Sequence, residues 1–211
     1  MSLKIETHVL GPMGNNTYLL ADEETRQAVI IDPSFDCQPL LSAIEKQDWT
    51  IQAIWLTHPH FDHIAGIPEI TAGLAASPTI ALHKDDLLLY QMGGGADFFG
   101  VKMPPMPEPG QFFTHGQTLS LGSHKIEVRH TPGHSPGHVI FYCPTQGAVL
   151  SGDLVFKQSI GRSDLPGGSH RTLIESIHAH ILTLPANTRI LSGHGPETTV
   201  AEEKHSNPFI Q

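Results

Sequence analysis

The stretch Thr57-His58-Pro59-His60-Phe61-Asp62-His63 places four metal-ligand side chains, His58, His60, Asp62 and His63, within six consecutive positions. A neutral imidazole and an ionised carboxylate are both ready donors for a divalent cation near neutral pH. Exposed histidines scatter along a polar loop; these are packed together, and they point to metal. Three later stretches carry the same chemistry: Thr131-Pro132-Gly133-His134-Ser135-Pro136-Gly137-His138, Ser151-Gly152-Asp153 and Ser192-Gly193-His194-Gly195-Pro196. In each, a β-like run meets small residues and then a ligand. Taken singly, His134 or His194 reads as a structural histidine; beside the first cluster, each becomes a ligand candidate.

The elements that would position these groups follow from the pattern of apolar residues. Lys4 to Leu10, Thr17 to Ala21 and Gln27 to Asp32 read as an antiparallel strand meander broken by turn residues. Gln38 to Gln47 has helical spacing and leads into a buried strand from Ile51 to Leu56, so the first cluster sits where a strand ends. Loops at strand ends are common places for functional groups. A helix is predicted over Gly66 to Leu74, a strand over Thr79 to Leu82 and a short helix over Lys84 to Tyr90. From Met92 to Gly116, glycine and proline are so dense that little regular structure is expected; a loop of that length is either a flap over a site or a surface excursion.

Further strands are predicted over Thr118 to Leu121, Lys125 to Arg129, His138 to Tyr142, Ala148 to Leu150 and Arg189 to Leu191. An amphipathic helix is predicted over Arg171 to Leu184, and a closing helical turn or two over Glu197 to His205. The order suggests two similar halves, with sheets packed together and helices outside.

Composition narrows the function. A chain of 211 residues is read as one domain spanning 1–211. No apolar run is long enough to span a bilayer, and the N-terminus lacks a signal-like apolar region, so a soluble, cytoplasmic protein is expected. A formal charge of -9 argues against nucleic-acid binding and leaves small molecules as the expected partners. The oligomeric state cannot be read from the sequence. Cys37 and Cys143 lack metal-site spacing and suggest no disulfide framework, with Cys143 at the end of an apolar run. The 15 histidines outnumber the 12 lysines and arginines, which again points to metal.

Residues 58 to 63 match the His-X-His-X-Asp-His signature of the metallo-β-lactamase superfamily, and His134, Asp153 and His194 complete its pattern in order. The resemblance covers nearly the whole chain. It implies an α/β fold, the four-layer αββα sandwich, with a two-metal site at one edge of the sheets. His58, His60 and His134 would hold one ion, Asp62, His63 and His194 the second, and Asp153 would bridge them. Asp62 and Asp153 would thereby be catalytic, with Asp62 orienting a metal-bound hydroxide. The metal would be zinc, with iron or manganese as alternatives.

The stretches Ser151 to Lys157 and Gly161-Arg162-Ser163-Asp164-Leu165-Pro166-Gly167-Gly168, with the ending Asn207-Pro208-Phe209, look like short glyoxalase II-type hydrolases. That resemblance implies hydrolysis of S-D-lactoylglutathione or a related anionic hydroxyacyl thioester. With 17 residues after His194, the C-terminal helical domain of longer members, which supplies glutathione contacts, has no room here. Arg162 is the candidate for anchoring a substrate carboxylate, or else pairs with Asp164. Asp32 is expected to stabilise a turn or support a ligand, and His138 to support a ligand or form a buried hydrogen bond. The remaining histidines read as surface or packing residues. The same motifs resemble persulfide dioxygenases, in which His58, His134 and Asp153 would hold one iron. A β-lactamase, a ribonuclease of the superfamily and a noncatalytic metal-binding protein are further readings.

Overall fold

The computed structural model describes residues 3–210. Its contacts divide the chain into two units, one running to Phe113 and including Ser120–His124, the other formed by Thr114–Leu119 and the residues from Lys125 onward.

In the first unit, β1 (Leu3–Leu10), β2 (Asn15–Asp22) and β3 (Gln27–Ile31) form the antiparallel meander. Helix α1 (Gln38–Lys46) then crosses to β4 (Thr50–Trp55), which lies parallel to β3. A single helical turn, α2 (Phe61–Ile64), and α3 (Ile67–Gly73) lead to β5 (Thr79–His83), and α4 (Leu87–Gln91) follows a 3-10 turn at Lys84–Asp86. The six-stranded sheet is ordered β1-β2-β3-β4-β5-β6, where β6 is Gln111–Phe113.

Helices cover this sheet because alternate strand residues and helix stripes share one core. Leu19, Ile30, Ile54 and Leu82 pack with Leu40 and Ile44 of α1, Ile64 of α2 and Ile67 and Ile70 of α3. Residues of the opposite alternation, including Leu20, Val29 and Ile31, are buried too. Strands covered on both faces read as continuous apolar runs, which accounts for Ala28 to Ile31.

The second sheet is ordered β14-β13-β10-β9-β8-β7. Its strands are β7 (Thr118–Leu121), β8 (His124–His130), β9 (Val139–Cys143), β10 (Ala148–Gly152), β13 (Arg189–Ser192) and β14 (Thr198–Thr199). Between β10 and β13 come a small hairpin, β11 (Val155–Phe156) with β12 (Ser159–Ile160), and helix α5 (His170–His180). Leu173 and Ile177 of α5 pack on Ile140, Val149 and Ile190 of the sheet. Helix α6 (Val200–Ser206) starts at Thr199, whose side chain accepts from the Glu202 N–H.

Four sequence expectations change. The Met92–Gly116 stretch holds a 3-10 turn at Gly93–Phe99 and the edge strand β6, paired parallel to β5; three residues after a proline tract are too few to show alternation. Helix α5 stops at His180 rather than Leu184, where Ile181 and Leu182 both bond the Ile177 carbonyl and Pro185 bars continuation. Strand β14 and the β11–β12 hairpin were not anticipated, since two-residue strands carry no periodicity. The first ligand cluster itself contains the helical turn α2. Among the described residues, no helix is long and apolar enough to cross a membrane.

Candidate metal centre

In the first unit, the parallel register of β3 and β4 pairs Ile31 with Trp55, so both chains leave the sheet at the same edge. Asp32 follows at once, in left-handed backbone at φ 52°, and its amide donates to the Trp55 carbonyl at 3.2 Å. Its buried carboxylate then organises the ligand loop. Oδ1 accepts from the Thr57 amide at 2.8 Å, and Oδ2 accepts from the Thr57 hydroxyl at 2.5 Å. The same Oδ2 lies 3.1 Å from His63 Nδ1.

These bonds assign the ring tautomers. A carboxylate can only accept, so His63 carries its proton on Nδ1 and presents Nε2 as a lone pair. Thr57 gives its hydroxyl proton to Asp32, so it accepts from His58 Nδ1, 3.0 Å away, and His58 likewise presents Nε2. Such outer carboxylates fix ring orientation and raise ligand basicity. The three rings crowd together, with His58 centroids 4.8 Å from His60 and 4.2 Å from His63. Asp62 Oδ2 accepts from Asn15 Nδ2 at 2.8 Å and lies 3.6 Å from His63 Nε2.

In the second unit, parallel strands again do the positioning. Leu150 pairs with Leu191 and Gly152 with Ser192, so Asp153 after β10 and His194 after β13 emerge at one edge. His134 lies in the turn after β8. Its Nδ1 donates to the Arg162 carbonyl at 2.7 Å, which leaves Nε2 as the lone pair. Asp153 Oδ2 is 3.7 Å from His134 Nε2 and 3.6 Å from His194 Nε2. Those separations are too long for hydrogen bonds. They suit donors arranged about a common cation, since atoms each about 2.1 Å from an ion lie within about 4 Å of one another.

The donor set therefore fits divalent metal in each unit: imidazole nitrogens and carboxylates, buried except for the half-buried His194, with no thiolate among them. Cys37 and Cys143 are buried thiols whose pKa burial pushes up to about 12, which makes them poor thiolate ligands. Asp32 lies within ligand distance of His58 and His63 but is committed to three donors, so it orients rather than ligates.

His138 is buried, with Nδ1 2.8 Å from the Thr131 hydroxyl and its ring edge-on to His134 at 5.9 Å. Arg162 grips Asp164 bidentately, Nε to Oδ1 at 2.8 Å and Nη2 to Oδ2 at 2.9 Å, on a half-exposed side chain. This pairing holds the guanidinium pKa above its ordinary value and the Asp164 carboxyl below its own. The carbonyl of Arg162 is a functional group that no side-chain reading could find. Gly161 precedes it because a Cβ there would fall 1.8 Å from the Asp153 carbonyl oxygen and 3.3 Å from His134 Nδ1. Asn15, 47 positions before Asp62, likewise gave no signal. Of the other histidines, His83 is buried and accepts from the Asp85 amide, and His124 is buried beside Asp22.

This fold is that of the metallo-β-lactamase superfamily, whose family model matches residues 10–194, and the chain belongs to it. It is 37% identical over 204 residues to the Bacillus subtilis (strain 168) protein named Probable metallo-hydrolase YqgX, covering 95% of this chain and 94% of that one. It is 33% identical over 209 residues to hydroxyacylglutathione hydrolase GloC of Haemophilus influenzae, covering 99% and 98%. Among solved structures, the BLEG-1 B3 metallo-β-lactamase superposes with a TM-score of 0.91 at 36% identity, covering 99% of this chain and 100% of that one. A di-iron-bound form of TTHA1623 gives 0.87 at 38% identity, covering 97% and 99%.

Proposed function

We propose that this metallohydrolase-superfamily protein is a metal-dependent thioester hydrolase, acting on S-D-lactoylglutathione or a related anionic hydroxyacyl thioester. The observation that carries the reading is Asp153, whose Oδ2 faces His134 Nε2 and His194 Nε2 at nearly equal distance. The likeness to GloC along almost the entire chain supports the substrate class. In this reading residues 1–211 work as one domain; His58, His60 and His134 would hold one ion, Asp62, His63 and His194 the other, and Asp153 would serve both. Zinc is the first choice of metal, and a glutathione thioester fits a cytoplasmic protein.

When bound, such an ion pair supplies Lewis acidity and lowers the pKa of coordinated water to about 7. The chain's own residues do the rest. Asn15 fixes Asp62, whose carboxylate orients the attacking water. Asp32 and the Arg162 carbonyl hold the imidazoles in the tautomers that present Nε2. The Arg162 guanidinium anchors a substrate carboxylate, for which its fork geometry is suited. A thiol leaving group with a pKa near 8.5 departs as thiolate without a strong general acid.

A second reading is oxidation of glutathione persulfide on one iron held by His58, His134 and Asp153; the di-iron-bound form of TTHA1623 supports iron as the metal, though at two ions rather than one. Anaerobic hydrolysis of S-D-lactoylglutathione by protein of known metal content separates the two. Loss of thioester absorbance at about two metals per chain supports the hydrolase. Oxygen uptake with the persulfide, about one iron and no hydrolysis moves the protein to the dioxygenases. Cleavage of a chromogenic cephalosporin in place of the thioester would instead ally it in activity with BLEG-1.

A further inference from the structure

The ligand turn α2 has only four residues, and its N-cap, His60, makes no side-chain capping bond. A turn that short does not hold its own shape in water. Part of what holds it comes from the 3-10 turn at Gly93–Phe99. Gly94 is buried there in left-handed backbone at φ 67°, and a Cβ on it would lie 2.3 Å from the Phe61 amide nitrogen, 2.3 Å from the Pro59 carbonyl oxygen and 2.7 Å from the His60 carbonyl carbon. The backbones of the two turns thus touch directly. Phe99 adds a ring contact with Phe61 at 5.1 Å, and Phe61 in turn meets Phe35 edge-on at 6.3 Å.

We propose that the Gly93–Phe99 turn is a positioning element for the His58–His60 ligand loop, with Gly94 as its contact residue. The proposal rests on the reading of His58 and His60 as ligands. Its role is to fix where the loop backbone lies, so that the imidazoles are placed before an ion arrives.

Gly100 supplies the control. It has the same backbone handedness, φ 69°, but nothing lies within 4 Å of a Cβ there. Gly94→Ala and Gly100→Ala therefore carry the same backbone strain, and only the first meets the ligand loop. Zinc affinity, measured by chelator competition, falls about tenfold or more in G94A and stays near wild type in G100A. In the metal-free proteins, amide exchange at Phe61–Ile64 speeds up in G94A and not in G100A. Phe99→Ala, which introduces no backbone strain, covers the case in which G94A does not fold: it lowers affinity and speeds the same amides to a smaller degree. Wild-type affinity and exchange in G94A, or in F99A where G94A does not fold, overturns the proposal, as does an equal loss in G94A and G100A. If the wild-type protein binds neither zinc, iron nor manganese, the metal reading falls and the exchange comparison alone decides the positioning role.

Discussion

Asp32 decides which nitrogen of His63 faces the site, and through Thr57 it decides the same for His58. Its oxygens serve three donors. Asp32→Asn keeps the size but not the capacity, because one end of an amide donates. We expect zinc affinity to fall about 10–100-fold, read by chelator competition. Unchanged affinity would reduce Asp32 to a turn residue. Arg162 poses the opposite question, since its carbonyl and its guanidinium act separately. Arg162→Ala keeps the carbonyl that holds His134 and removes only the fork now paired with Asp164. That pair is exposed, and exposed pairs contribute little to stability, so the melting temperature should hardly move. If the guanidinium anchors substrate, KM rises several-fold while kcat holds, the pattern of lost uniform binding. An unchanged KM would leave the guanidinium with the Asp164 pair alone.

At the scale of elements, the candidate ligands follow the ends of β4, β8, β10 and β13, and those strand ends were legible. Apolar runs that end in small residues and then His or Asp mark strand ends, and a strand does end before the first candidate ligand of each of the four stretches. The supports were less legible for a physical reason. Asn15 reaches Asp62 across 47 positions, and His134 is held by a backbone carbonyl; neither contact has a local pattern. The end of α5 at His180 was also missed, because Ile181 and Leu184 stay buried beyond the helix and continue its apolar spacing. His180 there is chemically informative. Burial first, then the nearby His115, Arg129 and His130, hold its pKa below the ordinary value, against a smaller opposing effect of Glu127. The folded protein thus resists a proton that the unfolded chain accepts below pH about 6.5. Its contribution is fully present above that pH and is lost as pH falls from there through the lowered pKa of the folded state. Urea midpoints of metal-free protein should therefore decline more steeply from pH 7 to 5 in wild type than in His180→Gln. Parallel declines would remove His180 from the account of acid sensitivity.

For the molecule as a whole, the distribution of charge matters more than its total. The chain is acidic at -9, yet Asp32, Asp62 and Asp153 are buried beside histidines. Carboxylates set among imidazoles suit divalent cations, so metal binding should stabilise the fold, with the gain set by linkage to the folded state. Free zinc at about 100 times its Kd gives about 2.7 kcal/mol. For a chain of this size that corresponds to a rise in melting temperature of about 5–10 °C, lost on chelation. Asp153→Ala separates this effect from a general response to zinc. It removes the oxygen that lies 3.7 Å from His134 Nε2 and 3.6 Å from His194 Nε2, leaving the two imidazoles in place. With the bridge gone, two close cations would repel without an intervening charge. The variant should lose metal, lose turnover and show little thermal gain from zinc, while its metal-free melting stays near that of the metal-free wild type. Two metals per chain and a full thermal gain in Asp153→Ala would show that the carboxylate does not bridge, and its assignment as the shared ligand would fall while the two-ion occupancy stood.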